Sequence, residues 1–176
     1  STIYHLAKDL SKTLSVLSVE DPTEIVAPDF LQLQVNPAAE MSYQALIKVA
    51  LRHRPEVLII GEIRDRETAK AAVDAALSGH LVLSSVHAQT AKGTVTRLSQ
   101  LGIEPAAIAQ AVVGVAYQRL LPTADGNLTA LLDLVSGPIS KWQQTAEMTP
   151  QWEENLKHAR YSNQISAALY ERFKAG

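Results

Sequence analysis

Pro55 to Asp65 reads PEVLIIGEIRD, and the choice of fold depends on it. Four consecutive apolar residues, Val57 to Ile60, are too few for a buried helix and too unbroken for a half-exposed strand, which predicts a central parallel strand. Gly61 and Glu62 follow at once. In open α/β sheets the carboxyl ends of the strands form the ligand crevice. This reading therefore puts Glu62 where a nucleotide phosphate, a metal or an attacking water sits.

The 176 residues fit one domain with a good core. A hydrophobic fraction of 47% with 19% charged residues is that of an ordinary globular protein, and a formal net charge of -2 supplies no global attraction to nucleic acid or anionic membrane. Direct nucleic-acid binding is therefore not expected. There is no cysteine, which excludes disulfides and thiolate zinc sites. No apolar run approaches the roughly 20 residues that span a bilayer, and no signal-peptide pattern opens the chain. A cytoplasmic location is the expectation.

Upstream of the strand, Tyr43, Leu46, Ile47, Ala50 and Leu51 recur at helical spacing behind the N-cap candidate Ser42. Pro55 ends that helix and forces Arg54 out of helical geometry. Lys48, Arg52, His53 and Arg54 in its last turn either complement the helix dipole or reach a phosphate. Further back, Leu14 to Glu20 is strand-like and stops at Glu20-Asp21-Pro22, an acidic pair in the same position relative to its strand as Glu62. Phe30 to Val35 alternates, which predicts an edge or hairpin strand. Ile3, Leu6, Ala7 and Leu10 predict a helix at the start of the chain.

Downstream, Ala69, Ala72, Val73, Ala76 and Leu77 make a narrow small-residue helix face, ended by Ser78-Gly79. His80 to Val86 reads as another strand buried on both faces, with His87 at its carboxyl end, so strand, helix and strand form a parallel βαβ unit. A polar helix follows over Thr90 to Leu101, and a second over Ala106 to Val113 behind Pro105. Val115 to Leu121 and Leu128 to Val135 flank an Asp125-Gly126 turn, which predicts an antiparallel hairpin added to the sheet edge. Beyond Thr149-Pro150, Trp152 and Leu156, then Ile165, Ala168, Leu169 and Phe173, form the apolar faces of two short helices. The expected division is a core over residues 1–138 and a small helical extension over 139–176.

Glu20-Asp21, Glu62 and His87 thus fall at three strand ends. Phosphoryl transfer asks for a metal held by carboxylates or hydroxyls, a group that orients water, and cations on the phosphates. All three kinds of group are present. Because Gly61 stands directly after the apolar run and Glu62 comes next, Glu62 suits orienting water, or supporting the metal from behind its ligands, better than direct Mg²⁺ ligation. His80 and His87 stand about 20 Å apart on an extended strand and cannot chelate one metal, so no metal site is assigned. A GxGxxG opening a βαβ unit is absent, which removes a Rossmann dinucleotide binder. Arg97 and Arg119 stay open between fingers to a neighbour's nucleotide and surface ion pairs.

VEDPTE at Val19 to Glu24, LIIGEIRD at Leu58 to Asp65 and GHLVLSSVH at Gly79 to His87 resemble the Asp box, Walker B and His box of the type II secretion and type IV pilus ATPases. TRLSQLGIEP from Thr96 and AYQRLLP from Ala116 resemble the segments that follow in that family. The resemblance runs from about residue 1 to about residue 122, with the boxes in the family's order. It implies an α/β fold of the RecA-like P-loop NTPase type: a mainly parallel sheet flanked by helices, with an antiparallel hairpin and a small helical C-terminal tail. It further implies a homo-oligomeric ring, usually a hexamer, on the cytoplasmic face of a polytopic membrane platform, with ATP and Mg²⁺ as cofactors of the full-length protein. Glu62, Glu20 and Glu24 would be catalytic, and Asp21, Arg64, His80, His87, Ser1 and Thr2 would contact the nucleotide.

Two departures carry information. The family's phosphate-binding loop, GxxxxGK[ST], is not among the 176 residues, and IYHL matches the helix that follows it, with Ser1 at or one residue past the loop's hydroxyl. The expectation is that the loop lies upstream, and that this chain alone binds ATP poorly and does not hydrolyse it. The four-cysteine zinc module that many members carry after about Leu121 is replaced by the hairpin and helical tail. That suits the competence ATPases of Gram-positive bacteria, which drive a pseudopilus for DNA uptake. A pilus retraction ATPase also lacks the module and stays open, as does a non-enzymatic, ATPase-like ring component.

Overall fold

The structure, a computed structural model, describes residues 2–142 and 148–174. The chain divides into two compact units, Ser1–Val86 with Gln100–Ala107 and His87–Ser99 with Ile108–Gly176.

The first unit is built on four parallel strands, β1 (Val16–Glu20), β2 (Leu31–Gln34), β3 (Val57–Glu62) and β4 (Leu81–Ser85), in the order β2-β1-β3-β4. The pleat sends alternate residues to opposite faces. Val16, Val57 and Ile59 pack with Phe30 and with Ala7 of α1 (Thr2–Leu10). Leu17, Val19, Leu58 and Ile60 are buried on the other face, where α2 (Tyr43–Arg52) packs on β1 and α3 (Arg66–Leu77) on β4. The apolar run that reads as a central strand is one: β3 lies between β1 and β4, and Val57, Leu58 and Ile60 have no exposed surface.

Local chemistry sets the helix ends. The Ser42 hydroxyl accepts the Ala45 N–H at 3.2 Å, and an Asp65 carboxylate oxygen accepts the Thr68 N–H at 2.8 Å, so each supplies a partner for a donor that the first helical turn leaves unsatisfied. Arg54, ahead of Pro55, takes a left-handed φ of 49°. Gly79 closes α3 at φ 96°.

Three expectations need correction. β2 is an edge strand but pairs parallel to β1, so the chain crosses from one to the other through residues 21–30 without a hairpin. β4 is not buried on both faces: in the sheet it has one neighbour, β3, and Leu81 keeps 40% of its surface. A short apolar run looks the same at the edge of a sheet as at its centre. The hairpin forms as a separate two-stranded sheet and is not added to the parallel one.

In the second unit that hairpin, β5 (Gly114–Pro122) and β6 (Leu128–Ser136), is stapled at its turn by Asp125, whose carboxylate accepts from the Thr123 hydroxyl and from the Asn127 amide. Helices α4 (Gly93–Gln100) and α5 (Pro105–Ala111) precede it, and α6 (Ile139–Trp142), α7 (Pro150–Tyr161) and α8 (Ala167–Phe173) follow. Leu121 and Leu131 of the hairpin share one apolar cluster with Trp152, Leu156, Ile165 and Phe173. This shared core explains why the hairpin stands alone: its inner face is covered by the tail helices. The fully buried Asp133 accepts the Thr149 backbone N–H at 3.1 Å and the Thr149 hydroxyl, which compensates its burial and anchors the start of α7. Among the described residues no helix is long and apolar enough to cross a membrane.

Candidate functional site

At the carboxyl ends of β1 and β3, within the first unit, lies a cleft of about 290 Å³. Glu20, Asp21, Glu24, Glu62 and Arg64 line it together with Tyr43. Glu20-Asp21 and Glu62, which the sequence placed at the ends of two separate strands, therefore meet, because β1 and β3 are neighbours in register, Ser18 opposite Ile59 and Val19 opposite Ile60.

A bulge decides the orientation of Glu62. Ile60 stands opposite Ser84, yet Glu62 stands opposite Ser85, so β3 carries one extra residue, at Gly61. A single extra residue reverses the face of every side chain beyond it. Unbulged, Glu62 would share a face with Leu58 and Ile60. Bulged, it joins the face of Ile59, which is also that of Ser18 and Glu20. The bulge is held by the Ser85 hydroxyl, which donates to the Gly61 carbonyl at 2.8 Å, and by the Ile63 N–H, which donates to the Ser85 carbonyl at 2.9 Å.

Glu62 accepts a 2.6 Å hydrogen bond on Oε2 from Arg64 Nε, and its Oε1 is shielded from solvent. The same bond, with the charge behind it, holds the Arg64 guanidinium above its ordinary pKa. Glu20 Oε1 accepts from the Ser18 hydroxyl at 2.6 Å and from Gln32 Nε2 at 3.2 Å. Burial pushes the Tyr43 phenol up, and the charge of Asp21 adds to it, with smaller additions from Glu62 and Glu20 and an opposing effect from Arg64. Tyr43 is therefore a neutral hydroxyl donor among carboxylates at neutral pH.

An acidic cleft of this kind repels a bare polyphosphate and accepts one accompanied by a cation. Among the described residues no three His, Cys, Asp or Glu side chains converge as a metal-binding set. Mg²⁺ asks for less than that, being held by one or two carboxylates together with phosphate oxygens and water. The donor set thus fits the carboxylate side of a Mg²⁺–nucleotide site.

The remaining candidates lie elsewhere. His80 is at the amino end of β4, its Nδ1 3.2 Å from the Ala75 carbonyl, away from the cleft. His87 belongs to the second unit. Thr2 opens α1, whose Ile3 and Tyr4 line the cleft, and Ser1 lies outside the described residues. Tyr43 at the start of α2 lines the cleft, so Arg52, His53 and Arg54 at the helix's other end lie roughly 14 Å further along its axis, which favours the dipole reading over the phosphate one. Arg119 donates to the Tyr117 hydroxyl at 3.1 Å and stacks 4.3 Å from the Phe173 ring centroid.

Two residues of the site were not legible in the sequence. Tyr43 reads there as part of an apolar helix face; its place directly after an N-cap, at the mouth of the sheet, is the signal that could have found it. Gln32 reads as the polar side of an alternating strand and carries no signal of its own.

A parallel sheet that gathers carboxylates and a guanidinium in a cleft at its strand ends defines an α/β protein with its ligand crevice at the carboxyl edge of the sheet. Solved structures share that fold: the pilus retraction motor PilT with bound ADP superimposes with a TM-score of 0.80 at 23% identity, over 97% of this chain and 56% of that one. The ATPase DotB of Legionella pneumophila superimposes at 0.76 and 24% identity, over 98% of this chain and 56% of that one. Residues 1–167 match the family described as "Type II/IV secretion system protein", and the chain belongs to that family. It is 50% identical over 122 residues to the competence protein ComGA of Streptococcus pneumoniae, across 69% of this chain and 39% of that protein. It is 45% identical over 124 residues to the type II secretion system ATPase E of Vibrio cholerae, across 70% of this chain and 25% of that protein. The chain thus spans well under half the length of these two relatives.

Proposed function

We propose that this chain carries the water-activating side of the ATP site of a motor in a type II secretion or type IV pilus-like system. The observation that carries the reading is the meeting of Glu20, Glu24, Glu62 and Arg64 in one cleft. Glu62, turned into the cleft by the bulge and held by Arg64, orients the attacking water and takes up its proton. Glu20 and Glu24 assist that water or would steady Mg²⁺ through a water of its own shell, with Asp21 beside them. Mg²⁺ bound with the nucleotide supplies neutralisation of the phosphate charge. His87 acts as a γ-phosphate sensor, and Thr2 and Ser1 as further nucleotide contacts, on the family resemblance alone; His80, at the opposite end of its strand from the cleft, is given no such role. The chemistry is assigned to residues 1–138 and a supporting role to 139–176. The 176 residues contain no glycine-rich GxxxxGK[ST] nest, so the chain by itself is not expected to turn over ATP.

The whole protein is read as a homo-oligomeric ring, hexameric in the expected form, working on the cytoplasmic face of a polytopic membrane platform. Identity of 50% to a competence protein favours pseudopilus assembly for DNA uptake as its task. In the whole protein, Glu62→Gln should keep nucleotide binding while turnover falls by about two orders of magnitude or more. Undiminished turnover would remove Glu62 from the chemistry.

A further inference from the structure

The loop that follows β1 is acidic and exposed, yet it is tied to the sheet by two glutamines of β2. Gln32 Oε1 accepts the Ala27 N–H at 2.7 Å, and its Nε2 donates to the Ile25 carbonyl at 2.9 Å and to Glu20 Oε1 at 3.2 Å. Gln34 Oε1 accepts the Thr23 N–H at 3.1 Å. Only one orientation of the Gln32 amide satisfies these partners, since Ala27 offers a donor while Ile25 and Glu20 offer acceptors. The Ser18 hydroxyl takes the same oxygen of Glu20 at 2.6 Å. One carboxylate oxygen is therefore committed to two neutral donors, and the other makes no hydrogen bond among the described residues of a side chain that lines the cleft.

We infer that Gln32 is a positioning residue: it fixes the rotamer of Glu20, so that one oxygen is spent on the sheet and the other is presented to the reacting water. Through Ala27 and Ile25 it also sets the path of the loop that carries Asp21 and Glu24. The inference rests on the role given to Glu20 above. A carboxylate free to rotate would spread its two oxygens over several directions, and a misplacement of about 1 Å in such a group costs on the order of 10²-fold in rate. Gln32 touches no substrate; it acts through Glu20.

Gln32→Glu separates this role from simple loop support. The new side chain keeps an acceptor for Ala27 but loses the donor shared by Glu20 and the Ile25 carbonyl, and sets a like charge against Glu20. In the whole protein its kcat for ATP should fall about tenfold or more with KM little changed. Amide exchange at Ala27 should stay close to that of the parent, while the thermal midpoint falls with the lost Ile25 bond and the like charge. Gln32→Met, which keeps the bulk and loses both functions, should lower kcat and also expose the Ala27 amide to exchange. On a Glu20→Gln background Gln32→Glu should cost nothing further, because its effect passes through the Glu20 carboxylate.

Wild-type kcat in Gln32→Glu, or an undiminished loss on the Glu20→Gln background, would overturn the inference. If Glu20→Gln itself leaves turnover unchanged, the role of Glu20 falls and this inference falls with it. If Glu20→Gln slows turnover and Gln32→Glu does not, only the inference falls.

Discussion

The Tyr43 hydroxyl occupies the space that a side chain at position 61 would need. A Cβ on Gly61 would stand 3.0 Å from that oxygen, with Glu20 Cα and the Val19 carbonyl oxygen at 3.5 Å. The backbone neighbours are at ordinary contact distance, so Tyr43 alone must give way. Gly61→Ala should therefore cost about 1 kcal/mol, and adding Tyr43→Phe, which deletes the obstructing oxygen, should recover most of it. Urea denaturation of the single and double variants checks this. A double variant no more stable than Gly61→Ala would put the cost elsewhere.

Tyr43 also predicts an alkaline dependence. Its phenol ionises above the ordinary value of 10.0 in the folded chain, chiefly through burial. Between the two pKa values the folded state holds a proton that the unfolded state has released, so the contribution is fully present below about pH 10 and is lost as pH rises through the folded value. Removing the phenol removes that loss. Stability of Tyr43→Phe should fall less steeply than that of the parent above pH 10, as read from denaturation midpoints at stepped pH, and parallel curves would contradict it.

Asp65 caps α3 through a 2.8 Å bond from the Thr68 N–H. Asp65→Ala should lower stability by about 1 kcal/mol, while Asp65→Ser keeps an acceptor in place and should lose only a fraction of that. Equal losses in the two variants would mean that the cap bond is not what the position contributes.

Trp152 is fully buried, and its Nε1 donates to the Phe173 carbonyl at 2.8 Å. Trp152→Ala should destabilise the second unit by about 3–5 kcal/mol, since both the apolar area and the cavity it leaves count against the variant. Trp152→Phe fills most of the space and should lose clearly less. Denaturation followed by circular dichroism gives the ordering, and the reverse order would be incompatible with the packing around Leu156 and Leu121.

Much of the first unit was legible because its signals are local. Ser42, Pro55 and Gly79 act on backbone groups within a few residues of themselves, so those helix ends could be read from a short window, whereas the cap at Asp65 was not read. The run from Val57 to Ile60 is apolar enough to require burial wherever it lies. The hairpin turn at Asp125-Gly126 was legible for the same reason, but what the hairpin packs on was not. Its strands look alike whether they extend a sheet or meet Trp152 and Leu156.

The sequence by itself set Glu20-Asp21 and Glu62 at the ends of apolar strands, and the family resemblance added Glu24 and Arg64 as candidates. Only the tertiary structure decided that they meet, which of the strands is an edge, and that Glu62 faces the same way as Glu20. The reason is physical. The register of a parallel sheet belongs to pairs of strands and not to either strand alone, so the extra residue at Gly61 shows only where Ser84 and Ser85 stand opposite it. The partner of Glu20 was hidden in the same way, because Gln32 reaches it across the pairing of β1 with β2 and not along the chain.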